Sequence, residues 1–181
     1  MKNNRKIFCL GWCKTGTTSL EHALTRLGFV GPESEGMNAL NLIEASDYEN
    51  LWEITDNYDY FCDYPWFYKG LYEKLDKKYP GSFFILTTRD TESWHISTKK
   101  WFSRPGKSDH PIIKSIYGGS TEDCVSLYEA HNSEVIEYFK DKSERFLSFD
   151  VFNGDGWEKL CDFLGVENPC PEEAFLWLNK Q

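Results

Sequence analysis

The sequence predicts an α/β fold in which a central parallel sheet of about four to five strands carries helices on both faces. Short apolar runs that are typical of buried strands alternate with amphipathic helical segments along the chain. No stretch rich in proline, glycine or serine divides the 181 residues, and aromatic residues make up 17% of them. Such a chain has the material for one large core. We therefore expect a single domain over residues 1–181.

The predicted strands are short apolar runs at about residues 6–10, 58–62, 82–88 and 145–149. The third run follows the breaker Pro80-Gly81, and its phenylalanine, isoleucine and leucine residues are typical of a parallel strand buried on both faces. Because helices connect the strands, the strands should be parallel and their carboxyl ends should meet at one edge of the sheet.

Each predicted helix combines an apolar face with a start or stop signal. The first, at about 17–28, has leucine and alanine at helical spacing and ends at Gly28. A helix at about 121–140 begins with two acidic residues, which suit the positive end of a helix. The other helices are expected in parts of 37–57, at 66–78, after the third strand to about 101, and from Trp157 to Leu164, where Gly165 stops the helix.

Charge and hydropathy disfavour several classes of partner. The formal net charge is −9, which disfavours non-specific binding to nucleic acids and to anionic membranes. No apolar run approaches the roughly 20 residues of a membrane span, and the first strand begins within a few residues of the start. We therefore expect no membrane span, no signal peptide and a cytoplasmic location.

The six cysteines include no Cys-x-x-Cys pair. This pattern favours mostly buried thiols in a reducing compartment and no metal site. Cys13 is the exception, because it lies beside Lys14 and a predicted helix N-terminus, a position that favours a reactive thiolate. We hypothesise that Cys13 is oxidisable.

A glycine-bounded turn after the first strand is typical of anion binding. Gly11 and Gly16 enclose Lys14, and Thr17 and Thr18 open the helix, so that free backbone N–H groups and the positive helix end face one spot. The glycines keep the spacing of the Gly-x-x-x-x-Gly-Lys-Ser/Thr loop, but Thr17 stands where that loop has its lysine. This displacement argues against ATP or GTP. The alternative is a plain tight turn with Thr17 or Thr18 as N-cap.

Arg89 directly follows the third strand, and Ser97 lies eight residues later. In open α/β sheets ligands bind outside the carboxyl ends of the strands, and a guanidinium group is well shaped for bidentate phosphate binding. The alternative is a surface arginine paired with Asp90 or Glu92, with Ser97 as an ordinary helix residue.

These two elements together resemble the P-loop sulfotransferases, whose phosphosulfate loop reads Lys-Ser/Thr-Gly-Thr-Thr. The resemblance implies a P-loop NTPase-like three-layer fold and transfer of a sulfuryl group from 3′-phosphoadenosine-5′-phosphosulfate (PAPS) to a hydroxyl or amine, without metal. The product would be adenosine 3′,5′-bisphosphate (PAP). It also implies that Arg89 and Ser97 bind the 3′-phosphate. The residues implied for the 5′-phosphate and sulfate are Lys14, Thr15, Gly16, Thr17 and Thr18.

The triplet Asp63-Tyr64-Pro65 stands where the cytosolic members have His-x-Pro. It resembles another branch, which has Asp-x-Pro, a Trp-x-x-Ser helix (here Trp94 to Ser97) and a pattern like that from Gly154 to Gly165. Asp63 would then be the catalytic base, or else the N-cap of a helix beginning at Pro65. His131 is a rival base, or else a core histidine.

Other features of the cytosolic members have no counterpart here. The Arg-Lys-Gly that completes their 3′-phosphate site is absent, and Arg104 or Lys107 is a hypothetical substitute. Ser19 replaces the tryptophan that stacks on adenine. Two other functions stay open: a small-molecule kinase, for which Asp150 is the nearest metal-binding acid, and a non-catalytic nucleotide-binding protein. The acceptor would be a small-molecule, glycan or lipid hydroxyl, and the aromatic residues that either line its pocket or belong to the core are Trp66, Phe67, Trp101, Phe102 and Tyr117.

Overall fold

The computed structural model describes residues 5–106, 124–176 and 178. Its described strands form one four-stranded sheet in the order β2-β1-β3-β4, and all neighbouring pairs are parallel. The strands are β1 (Ile7–Cys9), β2 (Tyr60–Phe61), β3 (Phe83–Thr87) and β4 (Phe146–Phe149). The predicted α/β fold with a parallel sheet is confirmed.

The strand β1 lies inside the sheet, where Ile7 pairs with Tyr60 of β2 on one side and with Phe83 of β3 on the other. On its far side, β3 pairs with β4 up to Thr87 and Phe149. Because the strands are parallel, the segments that follow all four of them leave the sheet at the same edge. This edge therefore carries the loop after β1, Asp63, Arg89 and Asp150.

Seven helices and one short 3₁₀ helix surround the sheet in the described part of the chain. The 3₁₀ helix, Val151–Asn153, directly follows β4. The helices are α1 (Thr17–Arg26), α2 (Gly36–Glu44), α3 (Tyr48–Asp56), α4 (Leu71–Lys78), α5 (Thr91–Phe102), α6 (Cys124–Phe139) and α7 (Trp157–Leu164). None of them is long and apolar enough to cross a membrane. The predicted start of α6 at residue 121 lies outside the described residues, as do Lys107 and Tyr117.

Alternate residues of β1 and Leu10, which directly follows it, point to opposite sides of the sheet and contribute to two hydrophobic cores. Phe8 and Leu10 belong to the larger core, which α2, α3, α4 and α6 cover. Ile7 and Cys9 belong to the second core, which contains residues of α1 and α7. The helices therefore occupy both faces of the sheet, as the sequence predicts.

The segment after β2 differs from the prediction of a helix over 66–78. The helix α4 begins only at Leu71, because Gly70 adopts a left-handed conformation (φ 73°) that separates it from the preceding residues. Before it, the Trp66 amide donates to the carbonyl of Asp63 in a turn. No helix begins at Pro65, so the interpretation of Asp63 as its N-cap is wrong.

Candidate functional site

A cavity of about 630 Å³ opens at the carboxyl edge of the sheet. It brings together residues from six segments that are distant in the sequence: the loop after β1, the turn after β2, the start of α2, the region from Arg89 into α5, the 3₁₀ helix with Phe152, and Leu178. The predicted site residues in its wall are Lys14, Gly16, Thr17, Thr18, Asp63, Arg89 and Ser97.

The loop after β1 lies directly against the end of β3. A Cβ atom at Gly11 would be 1.9 Å from the Thr87 hydroxyl oxygen, so only glycine allows this close approach. Thr15 is fully buried; its hydroxyl donates to the Trp12 carbonyl (2.5 Å) and contacts the Thr87 hydroxyl (2.6 Å). The Thr15 side chain therefore fixes the loop from below, whereas Lys14 and Gly16 line the cavity.

Backbone conformation turns this loop into the start of α1. Lys14 and Gly16 have positive φ angles of 73° and 99°, and a Cβ atom at Gly16 would be 2.7 Å from Val151. Gly16 is the N-cap of α1, no side chain caps this helix end, and its first turn has no acidic residue. The first amide N–H groups of a helix have no partner within it, and they carry a partial positive charge. Thr17 and Thr18 place that charge at the cavity.

Arg89 is fixed at the end of β3 by Tyr128. The Tyr128 hydroxyl accepts from the Arg89 amide (3.1 Å) and donates to the Arg89 carbonyl (2.9 Å). The guanidinium group lies over the Phe152 ring at 4.2 Å, and its Nη1 is 3.4 Å from the Lys14 carbonyl. Its Nε atom is buried and has no hydrogen-bond partner among the described residues. Burial lowers the pKa of Arg89, whereas Tyr128, Asp150 and Asp90 oppose this shift.

Lys14 is the second cation of the cavity. Burial lowers the pKa of Lys14, and the positive charges of Arg104 and Arg89 lower it further, whereas Cys13 and Asp63 oppose this shift. An anion in the cavity would attract all three cations and so compensate their mutual repulsion. The site therefore has a local positive character in a chain whose formal net charge is −9.

Asp63 lies at the cavity wall after β2. Its backbone is left-handed (φ 62°), and its carboxylate accepts from the Tyr64 amide at 2.9 Å. A left-handed conformation is uncommon for a residue other than glycine, and aspartate tolerates it better than most. The turn holds the carboxylate at the same cavity as Lys14.

The structure does not bring His131 to the cavity wall. Its ring is buried, its Nε2 atom is 2.7 Å from the Leu10 carbonyl, and it packs beside the Trp12 ring. Burial lowers the pKa of His131. This arrangement is that of a core histidine which supports the loop after β1.

Two aromatic residues support the site in ways that the sequence did not reveal. The Trp94 indole donates to the Cys13 carbonyl (3.0 Å) and stacks on Tyr128 with a ring distance of 4.1 Å. Together they connect the loop after β1 to α5, α6 and Arg89. The available signal was their chemistry, since a buried Trp or Tyr needs a partner for its polar tip.

Two other residues for which the sequence suggested a role, Ser19 and Asp150, form hydrogen bonds to the backbone. The Ser19 hydroxyl accepts from the Leu178 amide at 3.0 Å, which brings Leu178 to the cavity wall. The Asp150 carboxylate accepts from the amides of Phe152 and Asn153 and so caps the 3₁₀ helix.

Cys13 lines the cavity, and its proposed oxidation stays a prediction. Within the described ranges, no group of three or more His, Cys, Asp or Glu residues is placed to bind a metal ion.

Comparison with known proteins gives two findings. A family model described as a sulfotransferase domain matches residues 6–116 and 108–181, which is nearly the whole chain. The chain is also 25% identical over 209 residues to the Ava biosynthesis cluster protein M of Aspergillus versicolor, a match that covers 94% of this chain and 79% of that protein.

Proposed function

We propose, from the premise that the chain belongs to the sulfotransferase family, that it transfers a sulfuryl group from PAPS to a hydroxyl or amine of an acceptor. One observation carries this proposal: Lys14 and Arg89 come from two separate strand–helix connections and line one cavity. The proposed assignment to the branch with Asp-x-Pro rests on Asp63-Tyr64-Pro65 and on the pattern from Gly154 to Gly165.

The residues present fit a ligand with several negative charges. The buried Nε of Arg89 has no partner among the described residues, and a phosphate oxygen is the acceptor that a guanidinium group prefers. We assign the 3′-phosphate to Arg89 and Ser97. The uncapped start of α1 suits the phosphosulfate end, and we assign Lys14, Gly16, Thr17 and Thr18 to it. Thr15, the fifth residue of the predicted set, is buried behind the loop and supports it instead.

When bound, PAPS would supply the sulfuryl group and the nucleotide leaving group. The Lys14 ammonium and the amides at the start of α1 would neutralise the negative charge that develops on the leaving oxygen. Asp63 would accept the proton of the attacking acceptor. We favour Asp63 over His131 because Asp63 lines the cavity, whereas the His131 ring bonds to the Leu10 carbonyl behind the loop.

A kinase activity is less well supported by the same geometry. Such an enzyme needs an acid that holds the magnesium ion of ATP. Asp150, the acid nearest to that role, already accepts two backbone amides and the side-chain amide of Asn153.

Calorimetry tests the proposed nucleotide. We expect PAP to bind without magnesium and more tightly than ATP with magnesium. A sulfate-transfer assay with PAPS then tests the base through Asp63→Asn, a variant that keeps the turn and still accepts from the Tyr64 amide. We expect turnover to fall about 10²- to 10⁴-fold, the usual contribution of general base catalysis, while PAP affinity does not decrease.

Asp162→Asn, an exposed change on α7, is the matched control for the loss of one carboxylate. Tighter binding of ATP with magnesium than of PAP would contradict the nucleotide assignment. Equal turnover of Asp63→Asn and Asp162→Asn would remove Asp63 from the mechanism.

A further inference from the structure

We infer that the acceptor is an uncharged apolar compound with a hydroxyl group, such as a phenol or fused-ring alcohol, rather than a sugar. The inference rests on the proposed function and narrows its substrate class. Its basis is an apolar wall beside Asp63, formed by Met37, Tyr64, Ile96 and Trp101, which all line the cavity.

One side of this apolar wall belongs to α5. Ser93, Ser97 and Trp101 are spaced four residues apart, so they lie in one row along the helix, and Ile96 lies beside that row. The row changes from hydroxyl groups near Arg89 to an indole about 6 Å beyond Ser97, given 1.5 Å of rise per residue. The cavity is therefore polar at its arginine end and apolar farther along α5.

The other side of the apolar wall comes from α2 and the turn after β2. A Cβ atom at Gly36 would be 3.2 Å from the Tyr64 carbonyl, so glycine allows the start of α2 to lie close to this turn. Met37 follows Gly36 and also lines the cavity. Since Tyr64 is adjacent to Asp63 in the chain, these apolar groups border the proposed base.

The two aromatic residues of the apolar wall are held in place from behind. Tyr64 and Trp101 both pack against the same buried cluster, which includes Trp12, Phe67 and Trp94. Phe67 and Phe102 are themselves buried, and so is Trp66. The sequence analysis left open whether these aromatic residues line the pocket or belong to the core. Among those that the structure describes, only Trp101 lines the cavity.

Two residues of the apolar wall, Met37 and Ile96, are exposed to solvent. Met37 is 50% exposed and Ile96 is 61% exposed, which makes them two of the six exposed large hydrophobic residues there. Apolar surface that lines a concave site stabilises a bound apolar ligand when both surfaces leave water. A sugar instead needs an array of polar side chains, and the polar groups of the apolar wall are limited to the Tyr64 hydroxyl and the Trp101 indole N–H.

Charge disfavours an anionic acceptor at the same place. Asp63 lines the cavity beside the apolar wall, and bound PAPS brings further negative charge to Lys14 and Arg89. An anionic acceptor would be repelled by both. A neutral hydroxyl compound avoids this cost.

Calorimetric titration of the protein saturated with PAP tests the inference without depending on turnover. The probes are 2-naphthol and methyl β-glucoside. We expect naphthol to bind and the glucoside not to bind. Ile96→Ser should weaken naphthol binding about 10-fold, because it removes apolar contact area from the apolar wall. Ile136→Ser on α6 is the matched control, since Ile136 is 47% exposed and does not line the cavity.

The outcomes separate this inference from the proposed function. If PAP binds but the glucoside binds as tightly as naphthol, or if neither binds, the acceptor class is wrong and the nucleotide assignment stands. Equal effects of Ile96→Ser and Ile136→Ser on naphthol binding would also show that the apolar wall does not bind the acceptor. If PAP itself does not bind, the proposed function fails first, and the inference fails with it.

Discussion

Arg89→Lys is the sharpest test of the site, because it keeps the positive charge and removes only the planar guanidinium fork. Arg89 reaches the cavity with its Nε atom buried and without a partner among the described residues, and its Nη1 is 3.4 Å from the Lys14 carbonyl. The backbone of residue 89 keeps both bonds to the Tyr128 hydroxyl in this variant. Any loss of binding therefore reports on the side chain.

The expected magnitude follows from the number of bonds that the fork makes. A guanidinium group gives a phosphate two charge-assisted hydrogen bonds, each contributing about 1.5 to 3 kcal/mol, whereas we expect lysine to keep one. The loss of one bond corresponds to a decrease in PAP affinity of about 10- to 150-fold. Lysine also lacks the flat face that Arg89 places over Phe152 at 4.2 Å.

The assay is calorimetry with PAP at constant ionic strength, because exposed ion contacts are screened by salt. Arg26→Lys is the matched control: Arg26 forms an exposed ion pair with Glu173 on the surface, and such pairs contribute little. We expect this control to bind PAP like the unaltered protein. If Arg89→Lys bound PAP within about twofold of the control, a change of less than 0.5 kcal/mol, Arg89 would not be a phosphate ligand.

Three further predictions concern the residues that support the site and the fold. Tyr128→Phe removes both bonds to the backbone of Arg89, so we expect a loss of about 1 to 3 kcal/mol in the free energy of unfolding and weaker PAP binding. His131 has a lowered pKa because of burial, so its ring resists protonation in the folded protein but not in the unfolded chain. Stability should therefore fall as the pH drops below about 6.5, with a slope of at most about 1.4 kcal/mol per pH unit, and His131→Gln should flatten this slope. Burial alone would raise the pKa of Asp76, but its bonds to Lys142, Arg145 and Tyr138 keep that pKa low; Asp76→Asn should cost about 2 to 3 kcal/mol.

Urea unfolding measures all three stability effects, with PAP titration added for Tyr128→Phe. A Tyr128→Phe protein with unchanged PAP affinity would show that Tyr128 does not position Arg89. The His131 prediction fails if the unaltered protein and His131→Gln lose stability in parallel as the pH falls. For Asp76, Glu137→Gln is the control, because the ion pair of Glu137 with Lys140 lies at the surface. Equal losses of stability in the two variants would contradict the role of Asp76.

Much of the fold was predictable because its signals are local. The apolar run before Gly11 and the apolar run before Arg89 each predict a buried strand, and helical spacing after each predicts a crossover. Parallel strands have their carboxyl ends at one edge of the sheet. The sequence therefore also indicated that Lys14, Asp63 and Arg89, which follow three different strands, would lie near one another. The exception was the segment after β2, where Gly70 delays the start of α4 until Leu71.

Neighbouring residues encode strand ends and glycine turns, so the amino-acid pattern was enough to predict which chemical groups reach the edge of the sheet. The direction of individual side chains came only from the folded structure. His131 turns to the Leu10 carbonyl, 121 positions away in the chain, and the Thr15 hydroxyl turns to Thr87, 72 positions away. The apolar wall beside Asp63 likewise forms only when α2, the turn after β2 and α5 pack together. A side chain's direction depends on such distant packing partners, and no local pattern encodes them.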